Sequence, residues 1–254
     1  MLKVISFRLS GEFASFRDPS VTSNQLVYLI PSKTALVGII GAILGVERGH
    51  DFESMYGKAY LDLYSKTRIG IELLSEPSKF TFFTNHRSLK EDKTKPYKTE
   101  VLMSPSYTAY VSIEDEQTSR SFLDALENNS FVYPPYLGHA YCPARISDVV
   151  SHSGEYFDGL SYLTSSVILD ESETYNNSFK MEIEPRPGTD GVKKTRLIVE
   201  RHIHHFFENG KFERRVFKHW IPVGGTPYSV EMNDRPKLSR IMRLANKVTA
   251  VCLY

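Results

Sequence analysis

One stretch limits the possible folds more than any other. The run Ala35 to Val46 is the most apolar segment of the chain, yet it is only twelve residues long and holds three glycines, Gly38, Gly41 and Gly45. A bilayer span needs about 20 consecutive apolar residues, so this run belongs inside a globular body as a buried helix. Pro31-Ser32 supplies the start signal, with Ser32 as N-cap and Lys33 and Thr34 in the first turn. Each glycine costs about 1 kcal/mol relative to alanine inside a helix, so something must offset them. Gly38 and Gly41 share a face at i, i+3, and Gly41 and Gly45 at i, i+4, which leaves two explanations: close packing on a sheet, or close approach of a ligand.

The remaining composition is that of an ordinary globular protein, 41% hydrophobic and 24% charged over 254 residues, enough to bury a sizeable core. The first residues, Met1 to Leu9, alternate like a strand and lack the pattern of a signal peptide. Together with only two cysteines, Cys142 and Cys252, this points to a reduced, cytoplasmic setting with both thiols in the core. With no Cys-x-x-Cys or His-Glu-x-x-His pattern, neither a metal nor a cofactor is expected. A net charge of +1 excludes a protein that coats nucleic acid indiscriminately. Cations are local instead: Lys79, Arg87, Lys90, Lys93, Lys95 and Lys98 in one segment, and Lys193 to Lys218 in another. Solvated loops alone produce clusters of this kind about as often as binding sites do.

Periodicity predicts strands over 2–9, 66–74, 80–84 and 107–113, a helix over 115–126, and a further extended segment over 136–146. The order strand, helix, strand, strand, helix, strand predicts an α+β, ferredoxin-like (RRM-like) domain over 1–150, with one sheet face left usable. The basic segment 85–99 is too polar to pack and predicts a projecting hairpin, a thumb spanning about 80–104. From 151 to 254 strands dominate, predicting a smaller β-rich domain with strands over 162–169, 179–184, 197–207 and 214–222. A hairpin turn is expected at 208–211, a basic helix over 237–247 and a closing strand at 248–254.

The segments Leu9-Ser10-Gly11-Glu12-Phe13-Ala14-Ser15-Phe16-Arg17 and Tyr28 to Gly45, with Tyr133-Pro134-Pro135-Tyr136-Leu137-Gly138-His139-Ala140-Tyr141-Cys142-Pro143-Ala144, resemble the Cas5 family. This is the RAMP-type subunit of type I CRISPR Cascade complexes. The resemblance implies a non-catalytic protein that holds the 5′ handle of the CRISPR RNA. It also implies contacts with the backbone and large subunits, with target DNA as a further candidate partner, while the short apolar run above gives no reason to expect a membrane. By position it implies a handle site lined by Ser10, Gly11, Ser32, Lys33 and Thr34, with residues 85–99 as the thumb. Physical chemistry is compatible with this: the amide end of a helix at Ser32 to Ala35 suits a phosphate, with Lys33 and Arg17 beside it. Phe13, Phe16 and Tyr28 are candidates to stack on unpaired bases, or to pack in the core. The full candidate RNA-binding set is Ser10, Gly11, Phe13, Phe16, Arg17, Ser32, Lys33, Thr34, Arg87, Lys90, Lys98, Gly138, His139 and Arg145.

Two other functions stay open at this point. Metal-independent cleavage of the repeat RNA needs a base, an acid and a cation, and His86, His202 and His204 are the residues to nominate for it. A plain scaffold without RNA contacts would leave the thumb lysines and the capped helix without a purpose.

Overall fold

The computed structural model describes residues 2–21, 24–49, 56–87, 93–170, 181–185, 196–208, 211–224, 227–232, 239–245 and 247–254. Its first half contains β1 (Leu2–Ser10), β2 (Phe13–Ala14), β3 (Asn24–Gln25), α1 (Lys33–Leu44), α2 (Lys58–Lys66), β4 (Thr67–Ser75), β5 (Ser78–Arg87), β6 (Thr94–Met103), β7 (Ser106–Ile113) and α3 (Glu116–Glu127). There follow β8 (Arg145–Tyr156), β9 (Ser161–Leu163), β10 (Val167–Asp170), β11 (Met181–Pro185), β12 (Leu197–Glu208), β13 (Lys211–Pro222), β14 (Tyr228–Met232), β15 (Arg240–Leu244) and β16 (Val251–Leu253). The fold is α+β, with few helices and many strands.

The main sheet has six strands in the order β16-β15-β8-β1-β7-β4, and every neighbouring pair is antiparallel. Alternation along β1 sends Ile5, Phe7 and Leu9 to one face, where they join Ile69, Ile71, Leu73, Tyr107, Ala109 and Val111 beneath the helices. Helix α1 contributes Leu36, Val37, Ile39, Ile40 and Ile43 to this core and α3 contributes Phe122 and Leu126. Ser32 caps α1, accepting from the Ala35 amide at 3.4 Å, and Asp115 caps α3, accepting from the Thr118 amide at 2.8 Å.

The opposite sheet face is partly covered rather than left open, which departs from the expectation drawn from the strand and helix order. The sheet curls until its two edges meet: Tyr254 and Ile69 exchange backbone hydrogen bonds of 2.9 and 3.0 Å, so the chain end closes onto β4. The curl places Val4, Tyr110, Met242, Leu244, Val251 and Leu253 in a second small core on that face. A polar cluster seals it, in which Lys247 donates to Glu72 at 2.9 Å, Tyr110 donates to Glu72 at 2.7 Å, and Lys247 also bonds the Tyr110 hydroxyl.

Several expected elements take different forms. The segment 136–144 is a compact loop with one isolated antiparallel bridge between Tyr136 and Pro143, and the strand begins only at Arg145; prolines and the left-handed Gly138 break a continuous strand before it. Within residues 237–247 the described part contains strand β15, since Ile241 and Met242 are needed to pair with β16 and to extend the sheet. Helix α2 had no counterpart in the periodicity, and the stretch 162–169 divides into β9 and β10. Strands β5 and β6 form the expected hairpin, with ten-residue strands paired from Ser78↔Met103 to Arg87↔Thr94. Strands β12 and β13 form another, closing at Glu208↔Lys211, although its two turn residues lie outside the described ones.

Candidate RNA-binding groove

An open groove of about 900 Å³ runs along the outward face of α1. Its floor is Thr34, Ala35, Gly38 and Ala42, positions that fall on one side of the helix by their spacing of three and four. One wall is the loop Ser15-Phe16-Arg17 with Tyr28, and the other is the segment Tyr133 to Pro143. Arg48, Tyr56 and Tyr60 close one end, and Gln25 of β3 lies at the border with the hairpin.

Each wall is held by backbone bonds rather than by side chains alone. The Val132 and Tyr133 amides donate to the Ile43 and Ala42 carbonyls at 3.2 and 2.9 Å, satisfying the end of α1 and fixing Tyr133 beside it. The Ser15 amide donates to the Leu137 carbonyl at 2.9 Å, which ties the two walls together. Gly138 makes that junction possible. Its φ is +84°, and a Cβ there would stand 2.2 Å from the Ser15 carbonyl oxygen, so no other residue fits. Leu137 and Cys142, both fully buried, anchor the loop from below and leave Tyr133 and Tyr136 about half exposed above.

Tyr28 is set in place from behind. Its ring stacks on His202 at 3.8 Å, and His202 stacks in turn on His219 at 3.9 Å. The Tyr28 hydroxyl donates to Asp18 at 2.8 Å and accepts from the Ile203 amide at 3.1 Å. Glu200 accepts from the Leu29 amide at 3.0 Å and lies 3.0 Å from His202 Nε2. Burial holds His202 below the usual histidine value, partly countered by its bond to Glu200. Burial likewise pushes the Tyr28 hydroxyl well above the normal range.

The groove gathers Phe16, Arg17, Ser32, Thr34, Gly138 and His139 of the residues singled out in the sequence. Phe16 is only 4% exposed and meets Tyr107 edge-on, so it is as much core as wall. His139 stacks on Tyr141 at 4.1 Å. Other candidates are elsewhere. Lys33 points inward, with its ammonium 4.6 Å from the Tyr64 ring; burial, and then Arg68, lower its pKa to about 8. The turn at Ser10 and Gly11 supports the wall rather than lining it, since a Cβ on Gly11 would meet Leu137 at 2.8 Å and the Pro143 oxygen at 2.9 Å. Phe13 pairs with Met103 at the foot of the hairpin, and exposed Arg145 faces Glu12 at 3.9 Å. Arg87 and Lys98 lie on the hairpin, where Lys98 registers with Asn24 next to the groove; Lys90 lies outside the described residues.

For the histidines, His202 is fully buried in its stack, and the side chain of His204, on β12, lies outside the described residues. His86 is on the exposed hairpin, with its ring 5.0 Å from that of Tyr97 and in register with Lys95. Sequence reasoning missed Arg48, Tyr56 and Tyr60. Arg48 lies over the Tyr56 ring at 4.7 Å, Tyr56 and Tyr60 stack at 5.0 Å, and the Tyr60 hydroxyl donates to the Thr34 carbonyl at 3.0 Å. The signal was available in the four-residue spacing of Tyr56, Tyr60 and Tyr64, the last two on one face of α2 and Tyr56 just before it.

Comparison with known proteins adds to this geometry. The family model described as CRISPR-associated protein (Cas_Cas5) matches residues 4–195. Among solved structures, the chain is similar to a CRISPR protein from Archaeoglobus fulgidus, with a TM-score of 0.52 and 14% identity over 98% of each chain. It is also similar to a chain of a CRISPR RNA-guided surveillance complex, with a TM-score of 0.50 and 15% identity over 91% of each. No curated protein matches by sequence.

Proposed function

The chain belongs to the Cas5 family of CRISPR-associated proteins, and from that premise we propose that it is a non-catalytic RNA-binding subunit of a type I effector complex, the Cascade kind. In this role the groove on α1 holds the 5′ handle of the CRISPR RNA in the cytoplasm, and the β5–β6 hairpin serves as the thumb toward the backbone subunit. The large subunit and target DNA are further partners of the same assembly. The similarity in fold to a chain of a CRISPR RNA-guided surveillance complex supports a place in such an assembly.

The observation that carries this reading is the groove's lining. Residues more than a hundred positions apart, Arg17, Ser32 and Thr34 on one side and Gly138 and His139 on the other, face one space together with exposed Tyr133 and Tyr136. Unpaired bases need flat aromatic faces and a few donors, which such a lining supplies. We read β8-β1-β7-β4 with α1 and α3 as a ferredoxin-like body over residues 1–150. Residues 151–254 are the β-rich addition, whose last two strands return to the body's sheet.

A second reading, a metal-independent endoribonuclease acting on the repeat RNA, is favoured by one observation. His86, Tyr97 and Lys95 lie together on the hairpin, offering groups for proton transfer and charge stabilisation. Incubating the purified chain with its own repeat RNA in EDTA separates the two. The preferred reading expects handle-dependent binding without cleavage. Specific cleavage that disappears in His86→Ala would replace it with the second.

A further inference from the structure

Two of the three glycines on α1 are explained by their neighbours. A Cβ on Gly41 would lie 3.1 Å from the Val46 carbonyl oxygen, and Gly45 is the left-handed C-cap, with φ at +75° and Val132 at 3.0 Å. Gly38 is different. It is exposed on the groove floor, and a Cβ there would meet nothing within 4 Å among the described residues. Neither helix geometry nor packing asks for glycine at this position, and helix propensity disfavours it.

The surroundings suit a flat ring. Ala35 and Ala42, one turn away on each side, keep the floor low, while Tyr133 and Tyr136 rise from one wall and Tyr56 and Tyr60 from the end. Arg17 and Arg48 stand against Glu47, which is the one acidic residue among the described lining residues. A ligand with flat faces and an anionic backbone fits that balance better than an apolar helix would.

We propose that the groove seats one unpaired nucleobase of a single-stranded RNA directly on the backbone of α1 at Gly38, so that this residue limits what the groove admits. The inference rests on the RNA-binding reading above and deepens it. Any side chain at position 38 fills the seat while leaving the helix itself intact. The seat therefore predicts that binding and stability part company on substitution.

The test uses the full chain and fluorescein-labelled RNAs about eight nucleotides long that tile its own CRISPR repeat, with binding read by anisotropy. Gly38→Ala is expected to keep or raise the melting temperature and to weaken binding, and Gly38→Leu to weaken it by about ten-fold or more. An abasic scan then locates the base: at one RNA position removal of the base costs the wild-type chain about ten-fold and costs Gly38→Leu nothing further. Equal affinity of the wild-type, Ala and Leu chains, or the same abasic penalty in all three, would overturn the seat while leaving RNA binding in place. Failure of the wild-type chain to bind any of these RNAs would overturn the RNA-binding reading, and the seat with it.

Discussion

The groove and the β5–β6 hairpin differ in how they are built. The groove is assembled from segments far apart in sequence, cross-tied by backbone bonds, aromatic and nearly balanced in charge. The hairpin is local, exposed along β5 and the outer half of β6 and basic, with Arg87, Lys93, Lys95 and Lys98 on its surface and Phe83 73% exposed. Its root is pinned by Lys79, which donates to the Val27 carbonyl at 3.0 Å and pairs with Glu100 at 3.4 Å. A preorganised aromatic groove suits selection of particular unpaired bases, whereas a basic arm suits attraction to any phosphate backbone.

The largest effect expected from this contrast is at Gly138. Gly138→Ala puts a Cβ into the Ser15 carbonyl and strains the left-handed backbone, so it is expected to destabilise the chain by about 3 kcal/mol or more and to dismantle the groove. Denaturant unfolding measures the first and RNA titration the second. No single substitution of an exposed residue on the hairpin should approach that cost.

Lys33 provides a gain of stability. Its folded pKa, about 8, is below the ordinary 10.5, so burial disfavours the charged form. The penalty acts in full below about pH 8 and fades as pH rises toward 10.5. Lys33→Met is expected to stabilise the chain at neutral pH by up to about 3 kcal/mol, less in alkali, without altering RNA affinity. Loss of binding in this variant would mean that the ammonium reaches the ligand after all.

Binding experiments sharpen the comparison further. Tyr136→Ala should weaken RNA binding by about 1–3 kcal/mol while leaving its salt dependence unchanged. Arg87→Ala or Lys98→Ala on the hairpin should cost less at moderate salt but lower the slope of log affinity against log salt by about one for each phosphate that the variant no longer neutralises. Equal slopes in all these variants would erase the distinction between the two regions. The smallest effect concerns the stack behind Tyr28. Because burial lowers the pKa of His202 below 6.5, stability should be complete above that pH and fall as the solution is acidified through it. His202→Phe should make the fall in melting temperature shallower.

Much of this contrast was legible in the chain itself. The capped helix and the basic hairpin announce themselves locally, through Pro31-Ser32 and through a polar run flanked by strands, whereas the segment around Gly138 reads as extended and its loop emerges only from the contact with Ser15. The inward turn of Lys33 was not legible, because a lysine in a first helical turn reads as exposed until Tyr64 on α2 is known to receive it. The closure of the sheet was equally hidden, since it depends on Tyr254 meeting Ile69 across more than half the length of the chain. The roles of Gly38 and Gly41 look the same in sequence and separate only once their neighbours are in place.

Photocrosslinking of 4-thiouridine-substituted repeat RNA to the full chain, followed by peptide mapping, tests the central claim most directly. The groove predicts crosslinks on residues 15–17, 28–48, 56–60 and 133–143, weakened by Gly38→Leu. Crosslinks confined to residues 78–103, with none in the groove, would contradict it.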